Sequence, residues 1–231
     1  PTVTHLRTGK KINVWSVIHD EVNRLVGIEV VKQTTKSCVI KDISESTMKD
    51  FDTVFRRLFT LLSDAAHDYA EGILTNDSAL IETVEQKHDT VTKFVSYCLR
   101  LLNIYGAENF AKGHVLYHII ASLDKIIDFL KYSSRDFIKY GKKPTEQFCI
   151  IIKKMHENCF QLYNSNFFKF NVKKLRKFSH NRDAIIKSIS EEIDNIPSEE
   201  ILILSKVTQS LEIFLDLIEA RLSLESLNQR N

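Results

Sequence analysis

Acidic side chains recur in this sequence as pairs spaced four residues apart. Asp124 and Asp128 form one pair, and Glu212 and Asp216 form another 88 residues later. In a helix such residues lie one above the other, with Cβ atoms about 6 Å apart, and two carboxylates there repel unless a cation lies between them. The pairs could supply oxygen ligands to a metal. The favoured alternative is that they lie on a solvated helix face that is balanced by Lys125 and Lys131.

A third acidic pair, Glu85 and Asp89, has a histidine inside it. Glu85 and His88 together form a Glu-x-x-His element. Carboxylate pairs on two neighbouring antiparallel helices could meet as a four-carboxylate cluster, the kind of site that holds two metal ions in helical bundles. The candidate metal ligands are therefore three acid pairs: Asp124 and Asp128, Glu85 and Asp89, Glu212 and Asp216.

Motifs for other chemistry are missing from the sequence. It contains no G-x-S-x-G, no P-loop, no G-x-G-x-x-G and no H-E-x-x-H, and no nucleophile has a local base partner. His114 and His118 are four residues apart, but no third ligand is spaced beside them, which favours histidines on a helix surface over a zinc site. We predict that the protein is not an enzyme.

One segment in the second half of the chain is strongly basic and also carries aromatic residues, at positions 168, 170 and 178. Such a pattern could attract phosphate groups, an acidic partner or anionic lipid. It could also be a solvated helix face whose aromatic residues belong to the core. The basic residues are Lys169, Lys173, Lys174, Arg176, Lys177, His180 and Arg182.

The composition bounds the class of protein. Hydrophobic residues make up 43% of the 231, with only 6 Gly and 3 Pro, which favours long helices in a soluble protein. The net charge of +2 gives no case for nucleic acid as a partner of this segment. No apolar run reaches the roughly 20 residues of a membrane span, and the 4 cysteines lack C-x-x-C spacing. We expect a cytoplasmic, reduced protein that does not insert into membranes.

The pattern of apolar residues predicts an all-α fold preceded by a small N-terminal segment. Residues 1–43 should form a short amphipathic helix near Asn13–Leu25 and a β-hairpin, which must pack on the helices or on another chain. From residue 44 onward the period is helical, and the linker at 141–144 separates two sets of three antiparallel helices, 44–141 and 144–231. In the second set we expect helices over about 145–168 and about 171–193.

The two sets resemble each other in sequence. Residues 122–130 match residues 210–218, and each copy falls on the third helix of its set. A looser similarity pairs His88 with His180 on the second helices. The order of elements together with these matches indicates duplication.

This layout resembles the PhoU family of phosphate-uptake regulators, particularly its archaeal branch. The segments at 124–128 and 212–216 resemble the acid-x-x-x-Asp core of that family's E-R-I-G-D-H-x-x-N segment, although Tyr132 and Ala220 stand in place of its Asn. Residues 23–31 and 39–42 resemble the segment that joins an AbrB-like module to the first bundle in archaeal members. The resemblance implies two tandem three-helix bundles with pseudo-twofold symmetry, bound iron or zinc, and an AbrB-like module upstream of Pro1.

Taken together, these observations predict a non-catalytic regulator. By resemblance, it would act on phosphate uptake or signalling through contacts with a transporter or a signalling protein, with iron, zinc or magnesium as its metal. A homodimer is expected because the exposed hairpin edge needs covering. Two alternatives stay open: a di-metal carboxylate bundle, and a transcription regulator whose DNA-binding module is upstream or missing.

Overall fold

The fold is predominantly helical, with two small β-hairpins at its amino-terminal end. It is known from a computed structural model, which describes residues 2–44, 47–106, 110–161 and 167–228. None of the helices in these ranges combines the length and the apolar character that a membrane span requires. The helices are α1 (Val14–Asn23), α2 (Met48–Thr75), α3 (Ser78–Tyr105), α4 (Phe110–Tyr140), α5 (Glu146–Met155), α6 (Val172–Glu192) and α7 (Ser198–Asn228).

Helices α2 and α3 are joined where the sequence predicts a break. Asn76 ends α2 in the left-handed conformation with φ of 54°, which an asparagine tolerates better than most residues. Asp77 then caps α3, because its side chain accepts hydrogen bonds from the backbone N–H groups of Ala79 and Leu80. The two-residue connection makes α2 and α3 antiparallel neighbours.

Helices α2, α3 and α4 pack against one another in pairs. At the edge of this core, the Lys87 ammonium of α3 donates to the Asp68 carboxylate of α2 at 2.5 Å and to the Asp64 carbonyl at 3.1 Å. Their apolar stripes supply fully buried side chains such as Leu58, Leu62, Ile73, Ile81, Leu101, Ile119, Ile120, Leu123 and Ile126.

Helices α5, α6 and α7 contact one another as well, and they share one continuous core with the first three. Helix α5 continues as a π turn over His156–Phe160, and residues 162–166, in the helix predicted to run to about 168, lie outside the described ranges. Across the two sets, α4 packs along α7 and α2 packs against α5. The rings of His67 in α2 and His156 lie 5.5 Å apart, and Phe59 in α2 stacks at 4.4 Å on Phe167.

Buried polar contacts fix how the helices of the core meet, and one of them crosses from the first set to the second. The Tyr69 hydroxyl of α2 lies 2.5 Å from the Ser133 hydroxyl of α4, which donates to the Ile203 carbonyl of α7 at 3.3 Å. At the start of α5, Thr145 donates from its backbone N–H at 2.9 Å and from its hydroxyl at 2.5 Å to the carboxylate of Glu200, which is fully buried on α7. Because a buried polar group needs a partner, these bonds specify how the helices meet.

The predicted N-terminal helix and hairpin are confirmed as α1 and as the antiparallel pair β3 (Ile28–Gln33) and β4 (Cys38–Asp42). The sequence did not predict a second pair, β1 (Thr2–Thr4) with β2 (Lys11–Asn13). This segment packs on α3, where Arg100 donates to the Val26 carbonyl at 2.7 Å and Lys93 to the Asn23 carbonyl at 3.0 Å. Gly27 turns the chain into β3 with φ of +72°, and a Cβ there would lie 2.4 Å from the Ser44 Cβ.

Candidate functional site

A buried charged cluster lies between α3 and α4, where two of the predicted acid pairs come close to each other. His88 on α3 and Lys131 on α4 are only 6% and 7% exposed. The Lys131 ammonium donates to Asp128 Oδ1 at 2.7 Å and to His88 Nε2 at 2.8 Å. His88 Nε2 and Asp128 Oδ1 are themselves 3.2 Å apart. The ammonium therefore lies against both an imidazole nitrogen and a carboxylate oxygen.

The contacts of the His88 ring indicate which of its nitrogens carries the proton. Its Nδ1 lies 3.0 Å from the carboxylate of Asp89, which accepts hydrogen bonds and does not donate them when ionised. A proton on Nδ1 satisfies that contact and leaves the lone pair of Nε2 free to accept from Lys131. Asp89, whose side chain is 66% exposed, thus fixes the His88 tautomer in which Nε2, on the buried side of the ring, accepts from Lys131.

The two acids of the first repeat have different surroundings. Burial, together with the charge of Asp128, raises the pKa of Asp124, whose carboxylate accepts a hydrogen bond from the Thr92 hydroxyl at 3.1 Å. For Asp128, burial acts to raise the pKa, but the hydrogen bond and the charge of Lys131 lower it below its ordinary value. Asp128 is therefore the carboxylate that stays ionised as the counterion of the ammonium.

The Glu85 and Asp89 pair is divided between two partners. Arg135 of α4 binds the Glu85 carboxylate through two parallel hydrogen bonds, at 2.9 Å and 2.5 Å. Asp89 contacts His88 on the side away from Asp128. The structure brings His88, Asp124 and Asp128 to one place, whereas the Glu85 carboxylate binds a guanidinium at the surface.

The acid pair of the second repeat lies at the surface of α7. Glu212 is bound by Arg182 of α6, which also donates to the Asp183 carboxylate at 2.6 Å. Asp216 instead lines an open depression of about 420 Å³ together with Glu219 and the two histidines of α4, His114 and His118. The histidine pair thus faces the acids of α7, which their sequence spacing did not indicate.

Metal binding by the six predicted ligands stays a prediction. In the described part of the chain, no group of three His, Cys, Asp or Glu side chains is arranged to hold a metal ion. The best donors, His88 Nε2 and Asp128 Oδ1, already bind an ammonium.

Sequence reasoning missed the central cation and its supports. Lys131, Thr92 and Arg182 were not singled out as parts of a site, and Lys131 was taken as a residue that balances surface charge. A signal for Lys131 was present, because it follows Asp128 by three residues and so lies on the same face of the helix. For Arg182 the sequence offers only its place in the basic segment.

Comparisons with known proteins do not assign the chain to a family. No protein-family model, no curated protein and no solved structure matches the chain. What can be stated is the class: a predominantly helical protein with a buried ion cluster between two of its helices.

Proposed function

We propose that the protein is a non-catalytic regulator of phosphate uptake or phosphate signalling that acts through contacts with partner proteins. The proposal takes α2–α4 and α5–α7 as tandem three-helix bundles of the PhoU kind. The observation that carries it is the match of the third helices: residues 122–130 of α4 match residues 210–218 of α7, 88 positions later, and the two helices pack on each other. Their acid pairs occupy the same places within them.

A non-catalytic role is supported by the state of the nucleophiles. Burial raises the pKa of the Cys98 thiol and of the Cys159 thiol to about 12, so both stay protonated and unreactive at neutral pH. The buried His88 is held between an acid and an ammonium, which fixes the ring inside the fold. These groups are suited to holding helices together.

A surface for partner proteins is offered by a basic face at the start of α6, which we define as Lys169, just before the helix, and Lys173, Lys174, Arg176 and Lys177 within it. All five side chains are exposed, and none of the ion pairs found in the described ranges involves them. Two of the cations lie in the first turn of α6, where the helix dipole is also positive. The cations repel one another and are repelled by the positive end of the helix dipole. An acidic partner would offset both repulsions.

The homodimer belongs to the same proposal. Each strand of the β3–β4 hairpin has one ladder edge that the other strand does not cover. Apolar side chains on both strands are exposed, among them Val31 and Ile40, each at 47%. Pairing with a second copy would cover such an edge.

The proposal is tested by capture of partners from native cells grown with high and with low phosphate. The wild-type chain should retain a phosphate transporter or a phosphate-signalling protein, and phosphate uptake should lose its response to phosphate supply when the chain is deleted. Replacement of Lys173, Lys174 and Lys177 by Glu should abolish the capture.

The matched control makes the same change of charge elsewhere. Replacement of the exposed Lys10, Lys11 and Lys36 by Glu should leave the capture intact. Unchanged phosphate uptake in the deletion strain would refute the proposed function. Equal loss of capture in both triple variants would show that only net charge matters and would remove the basic face as the contact surface.

A further inference from the structure

We propose that Lys131 is the resident cation of the α3–α4 cluster and that its ammonium replaces a divalent metal ion between His88 and Asp128. The chain's own side chain would then supply the positive charge that the acid pair requires. This inference concerns the buried cluster alone and does not rest on a role in phosphate regulation.

The donors themselves are spaced for a metal. Bonds of about 2.0–2.1 Å in a tetrahedral zinc site place two ligand atoms about 3.3 Å apart. His88 Nε2 and Asp128 Oδ1 are separated by 3.2 Å, close to that value. The Lys131 nitrogen lies 2.8 Å and 2.7 Å from the same two atoms, at ordinary hydrogen-bond lengths. An ammonium and a divalent ion cannot occupy this position together, because the ammonium fills the space beside the two donor atoms and its positive charge repels a second cation.

Lys131 is fixed in this position by its surroundings. The residue is only 7% exposed, and its ammonium also lies 4.4 Å from the centre of the Tyr132 ring, within the range of a cation–π contact. Moving the ammonium out would leave the carboxylate of Asp128 without its counterion and the Nε2 lone pair of His88 without its donor. A buried charge that loses its partner is strongly unfavourable, so a metal ion has to compete against the whole set of contacts.

In the second repeat the positive charge beside the acid pair comes from a different helix. Glu219 stands at the position that corresponds to Lys131, so α7 has no lysine to offer. A basic side chain arrives from the neighbouring helix instead, because Arg182 of α6 binds Glu212. In both repeats, therefore, a protein cation contacts one of the two acids, and an arginine cannot lose its charge in a protein.

The inference predicts that removal of the ammonium creates a metal site. Lys131→Ala frees the volume and the charge between His88 and Asp128, where water molecules can complete the coordination of an incoming ion. Lys131→Met removes the charge but keeps the position filled, so it serves as the matched control. Lys131→Ala combined with Asp128→Asn removes a ligand from the newly opened site.

The experiment is titration of the full chain and its variants with Co²⁺, followed by visible absorption and calorimetry, with thermal melts in the presence of Zn²⁺. Lys131→Ala should bind one Co²⁺ more than about tenfold tighter than the wild-type chain, since both the repulsion by the ammonium and the volume of the lysine side chain are gone. Zn²⁺ should raise the melting temperature of this variant. Lys131→Met and the double variant should lack the gain.

Two results would overturn the inference. One is stoichiometric binding of Co²⁺ by the wild-type chain that disappears in Asp128→Asn, since the metal would then occupy the site despite Lys131. This arm uses the native protein and stays decisive even where Lys131→Ala folds poorly. The other is a folded Lys131→Ala variant that binds Co²⁺ no better than Lys131→Met, because the donors would then not form a site without the ammonium.

Discussion

The hydrogen-bonded chain from Tyr69 through Ser133 to Ile203 gives a sharp prediction about stability. Ser133 donates to the Ile203 carbonyl, so Tyr69 must be the donor to the Ser133 hydroxyl. Burial raises the pKa of Tyr69 far above its ordinary value, so the phenol stays protonated over the whole neutral range. Both side chains are almost completely buried.

The two truncations differ in what they leave behind. Tyr69→Phe removes one neutral hydrogen bond and leaves Ser133 bonded to Ile203, which should lower the free energy of unfolding by about 1 kcal/mol. Ser133→Ala leaves the buried Tyr69 hydroxyl without a hydrogen-bond acceptor and the Ile203 carbonyl without its hydroxyl donor. This should lower the free energy of unfolding by about 2–4 kcal/mol. In the double variant no phenol hydroxyl is left stranded, so it should be more stable than Ser133→Ala alone.

The assay is urea denaturation of the wild-type chain, the two single variants and the double variant, followed by circular dichroism. Their free energies of unfolding are compared at equal m value, the slope of the unfolding free energy against urea concentration. Ser134→Ala is the matched control, because the Ser134 hydroxyl is also buried but finds no partner in the described ranges. Removing it should change stability by less than about 0.5 kcal/mol or raise it. Additive losses in the double variant, or equal losses from Tyr69→Phe and Ser133→Ala, would refute the reasoning.

Three further substitutions should act as the structure indicates. Burial and the neighbouring His67 lower the pKa of His156, so on acidification the unfolded chain takes up the proton first. Stability should therefore fall as the pH drops below about 6.5, the ordinary pKa of histidine, and His156→Phe should lessen this loss in thermal melts. Gly27→Ala should cost about 1–3 kcal/mol by urea denaturation, and Gly9→Ala, with φ of +65° but open space, about 1 kcal/mol. Glu200→Ala should cost about 2–4 kcal/mol, whereas the exposed Glu199→Ala should stay within about 0.5 kcal/mol; equal losses would contradict the buried contact at the start of α5.

The helical part of the fold could be predicted from the sequence because its signals are local. Apolar residues at steps of three and four, together with the break at Asn76 and Asp77, located α2 and α3. The first hairpin, β1 with β2, was missed because its strands have three residues each and no buried side chain. Such short exposed strands leave no apolar alternation in the sequence.

The site was predicted only in part, since spacing defines distances along one helix but not the rotation of one helix against another. The spacing placed Asp124 and Asp128 on one face, and it offered Glu85 and Asp89 of the neighbouring helix as the partners of that face. It could not show that Glu85 binds Arg135 instead of joining the cluster, or that the Lys131 side chain is buried between α3 and α4. Both outcomes depend on how α3 and α4 are rotated about their axes, which the packing of the whole core decides.

The continuous core also limits how the protein can be handled. Residues 141–144 mark the place where the sequence pattern repeats, yet Phe59 of α2 packs on Phe167, and Ser133 of α4 donates to the Ile203 carbonyl of α7. A truncated chain that stops at Tyr140 would leave an apolar flank of α2 and α4 facing water, and the excised second half would carry the complementary flank. The pieces would have to be co-expressed to reassemble. The repeat is thus a unit of sequence, whereas the unit of production is the whole chain.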